Sequence, residues 1–306
     1  MDRSVWLPGT GETLIARAPV RFATGAATRV KGMRWFRDFD RKDIQHELDG
    51  WPEGPTYVPR SSGGTAARNT VKGAAVAVGA AVMGLLSSQS GSVGPGRSDK
   101  GSDRSDDRAD EIDDFPVMWA APGTLARTLP WQLDPARCDE KAYRTHAVVT
   151  DRRLVIVGFP HVAGNDKLVC DELLWEVPRS AIERVELRDF RTGNDAKIIF
   201  SDGSWCRVSS TLRERLTRYL IEPLDFIPPA SLTAAQLKTA EAFAAAQAPD
   251  AQPPLVKRNP CGCFRIEVVA PSAIGASFGH PGLNTVMDAR GNGLKLTEYH
   301  PEDFLT

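Results

Sequence analysis

Between His146 and Tyr219, short runs rich in β-branched and aromatic residues alternate with turn signals. That rhythm restricts the chain to packed antiparallel sheets. His146-Ala-Val-Val-Thr-Asp-Arg-Arg-Leu-Val-Ile-Val-Gly158 is followed by Leu173-Leu-Trp-Glu-Val-Pro-Arg-Ser-Ala-Ile182. Glu183-Arg-Val-Glu-Leu187 then precedes Lys197-Ile-Ile-Phe-Ser-Asp-Gly-Ser-Trp-Cys-Arg-Val208. The spacing predicts strands over 124–133, 144–149, 153–159, 168–177, 182–190, 196–200 and 204–209. Gly164-Asn165-Asp166, Gly193-Asn194-Asp195 and Asp202-Gly203 mark turns, and the last is a two-residue hairpin signal. Residues 211–221 set Leu212, Leu216, Tyr219 and Leu220 on one helical face, which predicts a helix closing the β-structure. The expected class is α+β, mainly β: an antiparallel barrel or sandwich capped by a C-terminal helix.

Three features of this region, Thr150-Asp-Arg-Arg-Leu154, Val177-Pro-Arg-Ser-Ala-Ile182 and the closing helix, resemble bacterial pleckstrin-homology-like and GRAM-like domains. The resemblance spans residues 116–222, about a third of the chain. It implies a domain that binds and places partners rather than one that catalyses. It also places Arg137, Lys141 and Arg144 in the first inter-strand loop, where such domains hold phosphoinositide-type headgroups. Asp134, Asp139 and Glu140 are interleaved with them. Pro8-Gly-Thr-Gly-Glu-Thr-Leu-Ile15 is partly echoed by Pro122-Gly-Thr-Leu125, which would let an N-terminal strand over 13–22 join the same sheet.

Four zones follow. Residues 1–60 carry that strand and a short helix expected from Asp40, a candidate N-cap, to Gly50 at its C′ position. Residues 61–114 read as an insertion. Within it, residues 73–88 form sixteen uncharged positions between Lys72 and Gln89. As a helix this run covers roughly 24 Å, short of the ~30 Å hydrocarbon core. Gly73, Ala77, Gly79, Ala81 and Gly84 supply small residues suited to close helix approach, hence an expected association segment that packs on itself, on protein or on a membrane. Residues 87–114 are polar and predict a flexible tether. Residues 115–222 form the pleckstrin-like candidate. Residues 223–306 predict a helix over 231–247, with Thr233 and Gln236 as a capping box, and a strand pair at 264–269 and 293–297.

A second basic and aromatic cluster lies at Arg29, Lys31, Arg34, Trp35, Phe36, Arg37, Phe39, Arg41 and Lys42. Two readings stand: an anionic membrane surface or nucleic acid met by inserting or stacking aromatics, or a solvated face over buried aromatics. The formal net charge of −1 supplies no global attraction to nucleic acid, which is not an expected partner. The start, Met1-Asp-Arg-Ser-Val-Trp-Leu-Pro8, lacks an apolar h-region. The expected location is the cytoplasm, with peripheral attachment at the inner membrane face as a variant.

Catalytic signals are sparse. His46, His146, His161, His280 and His300 are far apart, and no serine sits in a nucleophile elbow. The five cysteines make no disulfide framework. Cys261-Gly-Cys263 is short for a metal pair and lacks a second pair, so neither metal nor cofactor is expected. The expected function is a non-enzymatic adaptor docking on a membrane surface or protein partner. The alternative is a structural component that self-associates through residues 73–86.

Overall fold

The computed structural model describes residues 5–23, 34–55, 116–165, 169–188, 194–221, 224–247, 251–269, 279 and 283–304. The expected association segment at 73–86 and the tether at 87–114 lie outside them.

The centre of the molecule is a hairpin of β5 (Tyr143–Thr150) and β6 (Arg153–Pro160). β6 reads as a nearly continuous apolar run and β5 contributes Ala147-Val-Val149, because both faces are covered. Ala147, Val149, Leu154 and Ile156 enter the main core. Val148, Val155 and Val157 pack on the opposite face with Leu14, Trp6 and Val269. The two-residue turn explains the Thr-Asp-Arg-Arg sequence. The Thr150 hydroxyl accepts the amides of Arg152 (3.1 Å) and Arg153 (2.9 Å), and the Asp151 carboxylate accepts that of Thr13 (2.8 Å).

β1 (Leu14–Pro19) pairs antiparallel with β5, and β7 (Glu172–Pro178) with β6, giving the order β1-β5-β6-β7. At Pro178 the chain leaves this sheet through a 3-10 turn, Arg179–Ala181, and enters β8 (Ile182–Arg188). β9 (Asp195–Phe200) and β10 (Trp205–Ser209) follow, joined at Asp202-Gly203, where Gly203 has a φ of 81°. Three earlier strands complete the second sheet. β2 (Arg21–Phe22) and β4 (Pro116–Trp119) pair with β10, and β3 (Trp35–Arg37) lies parallel to β4. The result is mainly β, with two α-helices among the described residues. The two sheets stay separate and share one core, so the architecture is a sandwich and not a closed barrel.

Helix α1 (Arg213–Ile221) packs on β8, β9, β1 and β5, and so bridges both sheets. Leu216, Tyr219 and Leu220 are buried in the shared core. A second, smaller core joins α2 (Ala234–Gln247) to a sheet of β11 (Leu255–Arg258), β12 (Phe264–Val268) and β13 (Leu283–Met287). The Thr233/Gln236 capping box forms, at 2.9 and 3.3 Å. Glu267 on β12 accepts hydrogen bonds from Tyr219 and Arg215 of α1, tying the two cores together.

Three expected elements are absent. Residues 124–133 are 3-10 turns, Leu125–Thr128 and Trp131–Leu133. The amides of Leu125 and Ala126 are taken by Asp202 (2.6 Å) and Ser204 (3.1 Å), and Pro130 has no amide to give a ladder. The helix expected from Asp40 to Gly50 is a series of turns. Arg41 adopts a left-handed φ of 66°, and Asp38 binds the amides of Asp40 and Lys42. The strand expected at 293–297 is replaced by β13. Asp288 folds the intervening turn by accepting the amides of Arg290 and Asn292, both at 2.8 Å.

Candidate functional site

The residues expected to meet a membrane are largely internal. Arg34, Trp35, Phe36 and Arg37 are all buried, with Phe36 at 0% exposure. The Phe36 ring packs against Phe22 and Trp51 at centroid distances of 5.7 and 5.4 Å. Arg137, expected in a headgroup loop, is also enclosed. Its guanidinium lies over Phe36 (5.5 Å) and Trp51 (5.2 Å), pairs with Asp134, and donates to the Pro52 carbonyl (2.9 Å). Arg34 approaches the same Asp134 carboxylate at 3.7 Å. Two clusters far apart in sequence therefore converge on one buried acid through Arg34 and Arg137, while Phe39, Arg41 and Lys42 of the first cluster stay exposed, and Arg29 and Lys31 lie outside the described residues. The cause is the β3–β4 pairing, which carries residues 34–37 into the sandwich. Lys141 alone of the expected loop cations is exposed. Arg144 is half-buried with its Nη2 3.0 Å from Nε2 of His161, and Glu140 is paired with Arg21. Gly73, Ala77, Gly79, Ala81 and Gly84 lie outside the described residues.

What the fold does present is a pair of strand edges. Among the described residues, β7 ends the first sheet and β8 ends the second path. Leu173 on β7 is 51% exposed between Glu172 and Glu176, which are also exposed. Leu187 on β8 is likewise exposed, and Arg184 there is held by Glu183 and Glu186. On β7 Glu176 is paired with Arg153 and Glu172 accepts from Tyr143, and β8 carries two glutamates and two arginines, so each edge shows one exposed leucine among engaged charges.

Beneath the first sheet, Arg17 joins β1 to the β6–β7 connection. Its guanidinium donates to Asp171 through two nitrogens (2.6 and 2.8 Å), and its Nε donates to Nδ1 of His146 (3.1 Å). The Trp6 amide donates to the same carboxylate at 2.6 Å. This is a bidentate, enclosed clamp that fixes the N-terminal segment on the sheet.

The third constellation was not legible in the sequence. Asn259-Pro-Cys-Gly-Cys263 is the β11–β12 turn, closed by the Asn259 amide to the Cys263 carbonyl (2.8 Å) and made possible by Gly262 at φ 93°. The turn is met by Asp303 from the 3-10 turn Pro301–Asp303. The sulfurs of Cys261 and Cys263 and a carboxylate oxygen of Asp303 lie within 4.8 Å of one another. Asp303 accepts from Asn259 Nδ2 (2.6 Å), Cys261 Sγ (3.1 Å) and the His300 amide (2.9 Å). Burial opposes ionisation of Asp303, but these donors hold its carboxyl below the ordinary range. Burial, with Cys261 and Asp303 alongside, pushes the Cys263 thiol up to about 11. No sequence signal joins Asp303 to the Cys-Gly-Cys turn, because two strands, β12 and β13, lie between them in the chain.

No family model, no curated protein and no solved structure matches the chain. Among the described residues, no helix is long and apolar enough to cross a membrane.

Proposed function

We propose that the chain is a non-enzymatic adaptor built on a pleckstrin-like sandwich, and that it docks a protein partner rather than an anionic membrane. Part of the topology supports the first part: the β5-β6-β7 meander, a switch at Val177-Pro-Arg-Ser-Ala-Ile182, the β8-β9-β10 meander and a closing helix, with β1 added to the first sheet and β2, β3 and β4 to the second. One observation carries the second. The buried members of the two clusters, Arg34, Phe36 and Arg137, gather around Asp134, so among the described members only Phe39, Arg41, Lys42 and Lys141 face solvent, while the exposed edge at Leu173 is apolar and lies beside Glu172 and Glu176. An open strand edge accepts a further strand through its backbone, and an exposed leucine beside it gives that strand an apolar contact.

A photo-crosslinking residue placed at position 173 and, separately, at position 141 tests this in cells making the full chain. The expected result is discrete protein adducts from 173 that disappear when Glu172 and Glu176 are changed to Lys, with no flotation on phosphatidylserine vesicles. Flotation abolished by Lys141→Glu would replace the protein partner with a membrane.

A further inference from the structure

We propose that Cys261, Cys263 and Asp303 form a binding site for a thiophilic divalent cation of the Zn²⁺ kind. Metal–sulfur and metal–oxygen distances of about 2.0–2.3 Å place tetrahedral ligand atoms about 3.5–3.8 Å apart. The three donor atoms lie within 4.8 Å of one another, so closing on a cation takes side-chain rotations of about 1 Å. The Cys261 Sγ to Asp303 Oδ1 hydrogen bond, at 3.1 Å, already lies along one edge of that tetrahedron. Binding would replace its proton with the metal. Both thiols would release their protons to solvent, leaving two thiolates and one carboxylate on the cation. The fourth position would be left to water.

Three features favour a built site over a chance cluster. Asp303 is 2% exposed, yet its hydrogen-bond donors are an amide side chain, a thiol and a backbone amide, all neutral. Buried carboxylates are ordinarily paired with cations or bound to metals. Asn259 is itself buried and holds Asp303 in place at 2.6 Å, as the partners of ligating carboxylates do. The surrounding core is small, with Ala240, Ala244, Val256, Ile266, Val268 and Met287 as its buried members, and small cores are commonly stapled by a metal. The staple would join the β11–β12 turn to the 3-10 turn that carries Asp303.

The reduced, metal-free full chain is titrated with Co²⁺ and then Zn²⁺. The expected result is one equivalent bound, with thiolate-to-cobalt charge transfer and tetrahedral ligand-field bands, displaced by Zn²⁺. Cys261 and Cys263 then become protected from alkylation. Cys263→Ser and Asp303→Asn should each lose the tetrahedral spectrum, and Asn259→Ala should weaken binding about 10–100-fold. Cys170→Ser should change nothing. No saturable binding, or binding unchanged in a Cys261→Ser/Cys263→Ser chain, overturns the proposal. So does an oxidised chain in which Cys261 and Cys263 form a disulfide while the reduced form ignores Zn²⁺.

Discussion

Asp134 shows how one residue can decide what its neighbours are available to do. It is fully buried and receives Arg34 and Arg137 from different parts of the chain. Asp134→Ala should therefore lower stability by about 3–5 kcal/mol in denaturant unfolding, since it strands two enclosed cations. Lys141→Ala, at the exposed end of the same loop, should stay within about 0.5 kcal/mol. Glu12 is a second such residue. Burial opposes its ionisation, but hydrogen bonds from Arg153 (2.9 and 2.8 Å) and Thr150 (2.6 Å) hold its carboxyl below the usual value. A depressed folded-state value means stabilisation that is present above the unfolded carboxyl near 4.3 and lost as pH falls through the folded one. Glu12→Gln should flatten the melting temperature between neutral pH and that acid range; an unchanged acid slope would show that Glu12 is not coupled to folding. The thiols offer a further check. Burial pushes Cys206 up to about 12 and, with Glu140 and Asp139 nearby, Cys138 up to about 11, whereas Cys170 is exposed. Alkylation of the native chain should label Cys170 first and Cys206 last.

At the scale of elements, close approach between neighbours sets the tolerances. The Tyr143 ring lies across Gly158 on the β5–β6 hairpin, where an added Cβ would come within 2.2 Å of its hydroxyl and 2.6 Å of the ring. The Tyr143 hydroxyl is held by Glu172 on β7, so the ring cannot swing away. Gly158→Ala should cost about 1–3 kcal/mol in unfolding experiments, and Tyr143→Phe/Gly158→Ala should recover part of it. Helix α1 makes a parallel case. Leu216→Ala should cost about 2–5 kcal/mol, because Leu216 fills the core that both sheets share. Arg218→Ala, on the half-buried side, should cost less than Leu216→Ala. Helical periodicity in Leu212, Leu216, Tyr219 and Leu220 and the Asp-Gly pair at 202–203 announced these elements correctly, since both signals are local. Residues 124–133 misled because their apolar content suggested a strand, whereas distant Asp202 and Ser204 took up the amides a strand needs.

Over the whole molecule, the N-terminal segment belongs to the sandwich. β1 covers one edge of β5, while β2 and β3 extend the second sheet, so a fragment beginning at residue 115 should lack cooperative unfolding and near-ultraviolet circular dichroism. A folded fragment of native-like stability would show these strands to be accessory. The mainly β class, the hairpin turns, the closing helix and the α2 cap were set by nearest-neighbour patterns: alternation, turn residues and capping side chains act over a few positions, and sequence alone determines them. Partners distant in the chain were not. Trp35 and Phe36 read as buried aromatics or as membrane anchors until β3 paired with β4. Arg137 read as a ligand-binding cation until Asp134 and Trp51 enclosed it. Asp303 gained meaning only beside Cys261 and Cys263. Burial and convergence depend on which strands pair across long separations, and no local pattern encodes that choice, so the tertiary structure decided it.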